Sequence, residues 1–292
     1  MSRRLKIAVR LHPGADGTAA DTREQARHAE RLGLDGIFVG DHLKPAGPYP
    51  ESMVVLAAAA GVTERIHLGV GVMVLALRDP AWAAKQLASL QHVSGGRVVL
   101  GVGTGGAMHG TEAWEAVGVP YAERGRRTDE ALALLPGLIR GETVELPSGA
   151  SITLSPGADV PPILIGGNSP AALRRAIRHG AGWFPGMATP QQIVDGARQL
   201  PQGAQIAVGG MALLGTDAPD PRIDQFVASL IDGLGMPPED AVDLPITGTP
   251  AQAAERFAAY ADAGATWLVL GTISDDWHAQ WKLIAQAATL LD

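Results

Sequence analysis

The feature that most constrains the fold of this chain is an eightfold alternation of short apolar runs with helical segments. Runs rich in Val, Ile and Leu that alternate with helical patterns are typical of strands joined by crossover helices in a parallel sheet. Eight such units close a (β/α)8 TIM barrel, and an open doubly wound sheet is the alternative that the same alternation fits. We predict an α/β barrel that forms a single domain over residues 1–292. The predicted strands are Leu5–Leu11, Gly36–Asp41, Ile66–Leu75, Arg97–Gly103, Pro162–Gly167, Ala181–Gly186, Gln205–Leu214 and Thr266–Thr272.

The last predicted helix before strand eight carries the clearest boundary signals. Thr249 can cap it, Pro250 fits the first helical position, and Gly264 can supply a left-handed stop. Apolar residues between Ala253 and Tyr260 follow the spacing of one inward stripe, and Thr22–Gly33 repeats the plan before strand two. Helix, glycine stop and strand therefore recur as one unit.

Two segments do not fit the repeat. Residues Glu142–Gly157 have the pattern of a β-hairpin around Pro147–Gly149, inserted before strand five. The stretch Gly215–Pro245 is too long for an ordinary loop, and we predict a helix near Arg222–Leu234.

Composition and charge exclude several classes of function. The chain has no cysteine, which rules out thiol catalysis, thiolate-bound zinc and iron–sulfur clusters. Its net charge of −7 argues against nucleic acid and anionic lipid as partners. Arg10 and His12 interrupt any signal-peptide core, and the apolar run Met53–Val62 is too short to span a membrane. We therefore expect a cytoplasmic protein.

The stretch Gly101–Gly106, GVGTGG, satisfies the spacing of a dinucleotide-binding turn. That turn should open a helix at once and be followed by an acidic residue at the next strand tip. Here a loop follows, and about 20 residues later the chain has Arg124–Arg127 instead. We reject the dinucleotide interpretation, although glycines at a strand end still let a flat ligand approach the backbone.

The barrel prediction sorts the eight histidines, because active sites of such barrels lie at the carboxyl ends of the strands. Three histidines precede strands and belong to the opposite end: His67, His92 and His179. His28, within the first helix, is predicted to face solvent. The histidines that follow strands are His12, His42, His109 and, less directly, His278. A metal hydrolase is disfavoured because strand one lacks an H-x-H pair, so we predict no metal.

Two further sites stay open on the residues alone. Asp41 can cap the loop after strand two while His42 only packs, or the imidazole can take part in proton transfer. Gly166–Asn168 followed by Ser169 is either a tight turn with a helix cap or an anion site at a helix start. Trp82 and Trp114 are interpreted as packing residues, and Arg78–Pro80 as a brace into the third helix.

The sequence resembles the luciferase-like monooxygenase superfamily, in particular its coenzyme F420-dependent and FMN-dependent bacterial oxidoreductases. The most specific part is LALRDPAWAAKQLASLQHVSGGRVVLGVGTGG, Leu75–Gly106. Supporting segments are GIFVGDHLKP, PPILIGGNSPAALRRA and TPAQAAERFAAYADAGATWLVLG. The resemblance extends from Leu5 to about Leu291 and implies a homodimer with a small-molecule substrate.

The resemblance also implies roles for particular residues. Asp41 and His42 would lie against the deazaflavin, with His42 assisting hydride transfer. His109 falls where relatives often have Asn, and it completes a predicted catalytic set of Asp41, His42 and His109. Gly71-Val72 matches a strand-three bulge whose non-proline peptide bond is cis in relatives. His109 is also predicted to contact the cofactor, and the other predicted cofactor-binding residues are Gly103, Thr104, Gly105, Gly166, Gly167 and Asn168.

Two departures from the family bear on the substrate. Sugar-phosphate dehydrogenases of the family have an acidic residue at the position of Gly106 and a Trp at that of Ala46. The resemblance therefore implies an F420-dependent oxidoreductase that does not act on sugar phosphates. The alternatives are an FMN-dependent monooxygenase and a non-catalytic flavin or deazaflavin carrier.

Overall fold

The computed structural model of the chain describes residues 4–12, 22–44, 49–106, 110–215 and 220–291. Eleven strands lie in these ranges, and nine of them form one parallel sheet. The strands are β1 (Lys6–Arg10), β2 (Gly36–Val39), β3 (His67–Val74), β4 (Val98–Gly103), β5 (Thr143–Glu145), β6 (Ser151–Thr153), β7 (Ile163–Gly166), β8 (Gly182–Phe184), β9 (Ala207–Leu214), β10 (Ile246–Gly248) and β11 (Trp267–Thr272).

The large sheet closes into a ring of eight strands. Neighbours follow the order β9, β11, β1, β2, β3, β4, β7 and β8. Parallel bridges between Trp183 and Ile206 and between Gly186 and Gly209 join β8 back to β9. Each of the eight predicted strands is present, so the barrel prediction is confirmed and the open sheet is wrong.

Eleven α-helices lie in the described ranges, and eight of them follow barrel strands. They are α1 (Thr22–Arg31), α2 (Ser52–Ala60), α3 (Pro80–Ser94), α4 (Glu112–Ala116), α5 (Arg124–Arg140), α6 (Pro170–Arg178), α7 (Pro190–Ala197), α8 (Pro221–Leu234), α9 (Pro238–Ala241), α10 (Pro250–Asp262) and α11 (Trp277–Thr289). Within the described ranges, none of these helices combines the length and the apolar character that a membrane span requires.

Helix α10 forms with the caps that its sequence predicts. The Thr249 hydroxyl accepts a hydrogen bond from the backbone N–H of Gln252, whose side chain in turn accepts one from the backbone N–H of Thr249. Gly264 follows the helix with φ +101°, a conformation that residues with a Cβ rarely adopt. The buried stripe consists of Ala253, Phe257 and Tyr260, as predicted.

Both predicted insertions are present. β5 and β6 pair as the expected antiparallel hairpin, and α8 occupies the predicted helical stretch. Three short elements are not predicted from the sequence: α9, β10 and α4, which lies in the segment predicted as a loop after Gly106. β10 has three residues and pairs with the end of β9, and a run of that length carries no readable periodicity.

Two layers of apolar side chains stabilise the barrel. The larger layer lies between the strands and the surrounding helices. The smaller one fills the inside of the ring, where Phe38 contacts Phe184 and Trp267 edge to face at centroid distances of 5.7 and 5.9 Å. The inner layer is Ala8, Phe38, Val99, Leu164, Phe184, Ala207, Trp267 and Val269. It closes the interior below the carboxyl ends of the strands.

The prediction that His28 faces solvent is wrong. Its side chain is 5% exposed and stacks on His278 at a centroid distance of 3.8 Å, against Trp277 and Trp281 of α11. The first helix is amphipathic, but α11 covers the face that carries His28. Burial, assisted by the neighbouring charge of His278, lowers the pKa of the His28 imidazole. Its Nε2 atom is buried without a hydrogen-bond partner.

We expect the protein to lose stability in mild acid because of His28. Its pKa is lower in the folded than in the unfolded chain, so the unfolded chain binds the proton first once the pH falls below about 6.5. Below that pH the free energy of unfolding should fall by up to about 1.4 kcal/mol per pH unit until the folded-state pKa is reached. Urea unfolding of the wild type and of His28→Phe between pH 7.5 and 5.5 measures the difference.

The variant His278→Gln provides a second test of the same acid sensitivity. It removes the His278 charge that lowers the pKa of His28, but the buried His28 ring stays in place. Arg31 and Lys282 still lower the pKa of that ring. We expect a smaller acid sensitivity than in the wild type. Equal pH slopes in the wild type and in His28→Phe would contradict the assignment.

Candidate active site

Two adjoining cavities open at the carboxyl end of the barrel strands. The larger has a volume of about 580 Å³ and the smaller about 340 Å³. Both are lined by Arg10, Gly71 and Val72, so these residues mark their junction. The larger cavity is further lined by Gly166, Gly167, Asn168, Phe184, Gly186, Met187, Gln192, Leu234, Met236, Pro237 and Asp240. The smaller is further lined by Asp41, His42, Leu43, Lys44, Val74, Leu77, Gly105, Gly106, Gly110, Ala113 and Trp114.

The junction is a bulge in β3. The pairing of β3 with β4 shifts between Val70 and Met73, and the Gly71–Val72 peptide bond is cis. The Val72 side chain fits because its neighbours have none: a methyl group on Gly103 would lie 2.5 Å from Val72 Cγ2, and one on Gly166 would lie 2.9 Å from Cγ1. The bulge implied by the resemblance is present, and the surrounding glycines make room for it.

The carboxylate of Asp41 is buried and engaged by three donors. It accepts hydrogen bonds from Ser52 Oγ at 2.8 Å, from the backbone N–H of Val74 at 3.0 Å and from Arg78 Nη2 at 2.6 Å. Arg78 also pairs with Glu51 at 3.0 Å. Burial opposes the charge of Arg78, but the two carboxylates outweigh it and raise the pKa of the guanidinium. This network ties the end of β2 to β3 and α2.

His42, by contrast, is exposed at the rim of the smaller cavity. Its ring lies edge to face against Tyr49, with centroids 5.8 Å apart. The Tyr49 hydroxyl accepts a hydrogen bond from the backbone N–H of Gly40 at 3.0 Å. Burial raises the pKa of Tyr49, although the Gly40 N–H and the charge of Arg10 oppose that shift. Tyr49 is therefore a neutral wall that holds the imidazole at the rim.

The loop after β7 contributes a second polar region, on the larger cavity. Asn168 Nδ2 donates to the carbonyl of Gly186 at 2.7 Å, and its Oδ1 accepts from the Gly186 N–H at 3.1 Å. Trp183 Nε1 donates to the carbonyl of Gly167 at 2.8 Å. Ser169 caps α6, which begins at Pro170. The Gly166–Asn168 loop thus lines the larger cavity and leads directly into α6, and the start of a helix stabilises anions.

The glycine stretch after β4 contributes less to the cavities than the sequence suggests. Gly105 and Gly106 line the smaller cavity, whereas Gly103 and Thr104 line neither. Trp114 is 3% exposed, packs edge to face on Tyr121 and also lines the smaller cavity. His109 and Ala46 lie outside the described residues.

The histidines do not converge on one point. His67, His92 and His179 form contacts away from the two cavities: with the Asp35 carbonyl, the Gly157 carbonyl and Asp129, respectively. His12 pairs with Asp275 at 3.9 Å, beside the mouth but in neither cavity lining. The expectation for His278 is wrong, because it is exposed on α11 and stacks on His28. Within the described residues, no group of three His, Cys, Asp or Glu residues could hold a metal ion.

The start of α3 carries two further features that the sequence predicts, a brace at Arg78–Pro80 and a packed Trp82. The brace at Arg78–Pro80 is confirmed, since Asp79 caps α3 by accepting hydrogen bonds from the N–H groups of Ala81 and Trp82. The prediction that Trp82 packs against its neighbours is wrong. Its side chain is 71% exposed, because the first turn of α3 presents it to solvent.

Sequence reasoning missed two parts of the site. One is Arg10, a cation in an otherwise apolar strand, whose inward direction follows from the alternation of side chains in β1. Burial lowers the pKa of Arg10, although Tyr49 opposes the shift. The other is an apolar wall that Leu234, Met236 and Pro237 add to the larger cavity from the long insertion. No local pattern predicts where that insertion folds back.

Comparisons with known proteins agree with this architecture. The chain is 38% identical over 169 residues to an F420-dependent glucose-6-phosphate dehydrogenase of Beutenbergia cavernae, covering 53% of this chain and 49% of that protein. The chain spans about half the length of the curated relatives it matches.

Solved structures share the fold over nearly the whole chain. An F420-dependent secondary alcohol dehydrogenase, bound to an F420–acetone adduct, superposes with a TM-score of 0.81 at 19% identity, covering 99% of both chains. A type II Baeyer–Villiger monooxygenase from Pseudomonas putida, in complex with FMN, gives a TM-score of 0.73 at 17% identity, covering 98% of this chain and 96% of that one.

The sequence profile described as luciferase-like monooxygenase matches residues 4–208, from β1 into β9. Because this match covers more than half of the sequence, the chain belongs to the luciferase-like monooxygenase family.

Proposed function

We propose that the protein is a coenzyme F420-dependent oxidoreductase that moves a hydride between the deazaflavin and a small organic substrate. The observation that carries the proposal is the Gly71–Val72 bulge at the junction of two cavities, with His42 beside one and the Gly166–Asn168 loop beside the other. Similarity to the F420-dependent dehydrogenase of Beutenbergia cavernae supports the choice of cofactor.

The residues present fit such a cofactor. A flat ring needs a wall without projecting side chains, and the backbone of Gly71 and Val72 supplies it. A phosphate needs N–H donors, and we assign its binding to the Gly166–Asn168 loop, which lines the larger cavity and leads into α6. We assign Asp41, His42 and Gly105 to the ring side of the site. The assignments of Gly103, Thr104 and His109 as cofactor contacts stay predictions.

When bound, the deazaflavin supplies a ring carbon, C5, that accepts or releases a hydride. Oxidation of an alcohol to a ketone also releases the hydroxyl proton, because the hydride carries only one of the two hydrogens lost. We assign to His42 the role of accepting that proton, or of returning it in the reverse direction, since an imidazole exchanges protons near neutral pH. Asp41 acts as a positioning residue, because its oxygens are engaged by Ser52, Val74 and Arg78.

The substrate is small and is not a sugar phosphate. Gly106 lines the smaller cavity at the position where the sugar-phosphate dehydrogenases of the family have an acidic residue. The Lys44–Glu112 ion pair, with nitrogen and oxygen 2.5 Å apart, connects the loop after β2 to α4 beside the same cavity. The wall formed by Leu234, Met236 and Pro237 reduces access of water to the larger cavity.

A titration with each cofactor tests this proposal. We expect saturable binding of F420, followed by its fluorescence, and no saturable binding of FMN to the same protein. Binding of FMN alone would replace the proposal with an FMN-dependent monooxygenase, which the FMN complex among the solved neighbours supports. Binding of F420 with no turnover across a panel of alcohols, ketones and enones would indicate a carrier.

Substitutions at Asp41 and His42 should separate positioning from ligand contact. His42→Ala removes an exposed ring, so we expect weaker F420 binding by about fivefold or more and an unchanged unfolding temperature. Asp41→Asn leaves Arg78 with Glu51 as its remaining carboxylate partner and should cost about 1 to 3 kcal/mol of stability. Cofactor titration and calorimetry on both variants measure these effects. F420 affinity that is indifferent to His42→Ala would contradict its assignment.

We further propose that two copies pair through α2 and α3, which pack side by side. Val54, Trp82 and Val93 on these helices are 68%, 71% and 60% exposed. We assign these three apolar side chains to the pairing surface, since exposed apolar groups favour interaction surfaces when they are contiguous. We expect a dimer by light scattering after size-exclusion chromatography, and Trp82→Glu should shift it toward monomer. A monomeric wild type would contradict the pairing.

We also propose a cytoplasmic location, where a diffusible redox cofactor is made and recycled, and no nucleic-acid partner. The net charge of −7 supports the second point, because phosphate backbones reward clustered Lys and Arg. Immunoblotting of cell fractions tests the location.

A further inference from the structure

Arg10 occupies a position that the proposed function does not use. It is the last residue of β1, and Ala8, two residues earlier, belongs to the apolar layer inside the barrel. Side chains of a strand alternate between its faces, so Arg10 points toward the barrel axis, one layer above Ala8. It lines both cavities, at their junction.

The path of this side chain is open because two neighbouring strands carry glycine. A methyl group on Gly271 of β11 would lie 3.6 Å from Arg10 Cδ, and one on Gly209 of β9 would lie 2.8 Å from Arg10 Nη2. The guanidinium therefore extends from β1 past β11 to β9, across the floor of the site.

The guanidinium lacks a counter-charge. Its Nε atom is buried without a hydrogen-bond partner, and within the described ranges no ion pair joins Arg10 to a carboxylate. Among the described residues, Tyr49 opposes the effect of burial on the pKa of Arg10, but its hydroxyl is neutral because burial raises its own pKa. Asp41, the acid in the smaller cavity, is engaged by Arg78 and Ser52. Asp240, the acid in the larger cavity, accepts a hydrogen bond from Gln192 Nε2 at 3.4 Å. An arginine stays charged under these conditions, so the floor of the site carries an unneutralised positive charge.

We propose that Arg10 binds the carboxylate of an anionic substrate and so determines the substrate class, a small carboxylic acid that carries the reacting carbon next to or near the carboxylate. The guanidinium matches a carboxylate in a bidentate geometry. This inference rests on the proposed function, in which the reacting carbon lies against the Gly71–Val72 wall that Arg10 borders.

A carboxylate fits this position better than a phosphate. We assign phosphate binding to the Gly166–Asn168 loop on the larger cavity. Among the described residues that line the two cavities, Lys44 is the one other Lys or Arg beside Arg10, and it pairs with Glu112. One guanidinium balances the single charge of a carboxylate.

Calorimetric titration in low-chloride buffer tests the proposal, with lactate and pyruvate as probes and lactamide as the neutral analogue of lactate. The titrations use the free protein and the protein saturated with F420. We expect lactate to bind at least about tenfold more tightly than lactamide. Arg10→Met should abolish that preference, and Arg10→Lys, which keeps the charge but loses the planar group, should retain part of it.

Control variants separate this role from general effects. Arg198→Met removes a charge from an exposed arginine that pairs with Asp195 on α7 and should leave the preference for lactate unchanged. Gly209→Ala keeps the charge but crowds Nη2 and should weaken lactate binding. Arg10→Met should keep its unfolding temperature or raise it, because the buried Nε loses no hydrogen bond.

Three outcomes would overturn the proposal. They are no millimolar binding of lactate or pyruvate to the wild type, equal affinity for lactate and lactamide, and an unchanged lactate affinity in Arg10→Met. Weaker F420 binding with unchanged lactate binding in that variant would assign Arg10 to the cofactor instead. Absence of F420 binding in the wild type would overturn the proposed function alone, since lactate binding to the free protein still tests Arg10.

Discussion

The site depends on the absence of side chains at the carboxyl end of the barrel interior. Below this level the ring is filled by apolar side chains such as Phe38 and Phe184. At the mouth, inward positions are glycine on several strands, and the space they leave holds Val72 of the bulge on one side and Arg10 on the other. A side chain at Gly103 would collide with Val72, and one at Gly209 would collide with Arg10. The positions of both residues therefore require glycine on the neighbouring strands.

Beside this space, Asp41 and His42 are neighbours in sequence but differ in their surroundings. Asp41 is fixed by three donors and ties two strands and a helix together, while the next residue, His42, projects into the smaller cavity with its ring against Tyr49. A buried, fully engaged carboxylate therefore fixes the chain directly before an exposed imidazole. In the proposed function this division matters, because a proton-transferring group must be held in place by residues that do not react.

The charge of the site is set by which cations have partners. Arg78 lies between two carboxylates, and Lys44 pairs with Glu112. Arg10 has a buried Nε with no partner and reaches the junction of both cavities. A buried cation without a partner acts strongly on its surroundings, because charges are screened less there than in water.

The sequence by itself determined the eight strands, the capped helices such as α10, the hairpin insertion and the positions of Asp41, His42 and Gly166–Asn168 at strand ends. These follow from local signals, namely periodicity, caps and turn residues, which act over a few neighbours. Only the tertiary structure decided that α11 buries His28, that Gly103 makes room for Val72, that Trp82 is exposed and that the long insertion covers the larger cavity. Those outcomes depend on which distant surfaces meet across the closed ring, and no local pattern contains that information. The position of Arg10 depends on both kinds of information. Alternation along β1 gives the direction of its side chain, whereas closure of the barrel beside Gly271 and Gly209 brings its unpaired charge to the centre of the site.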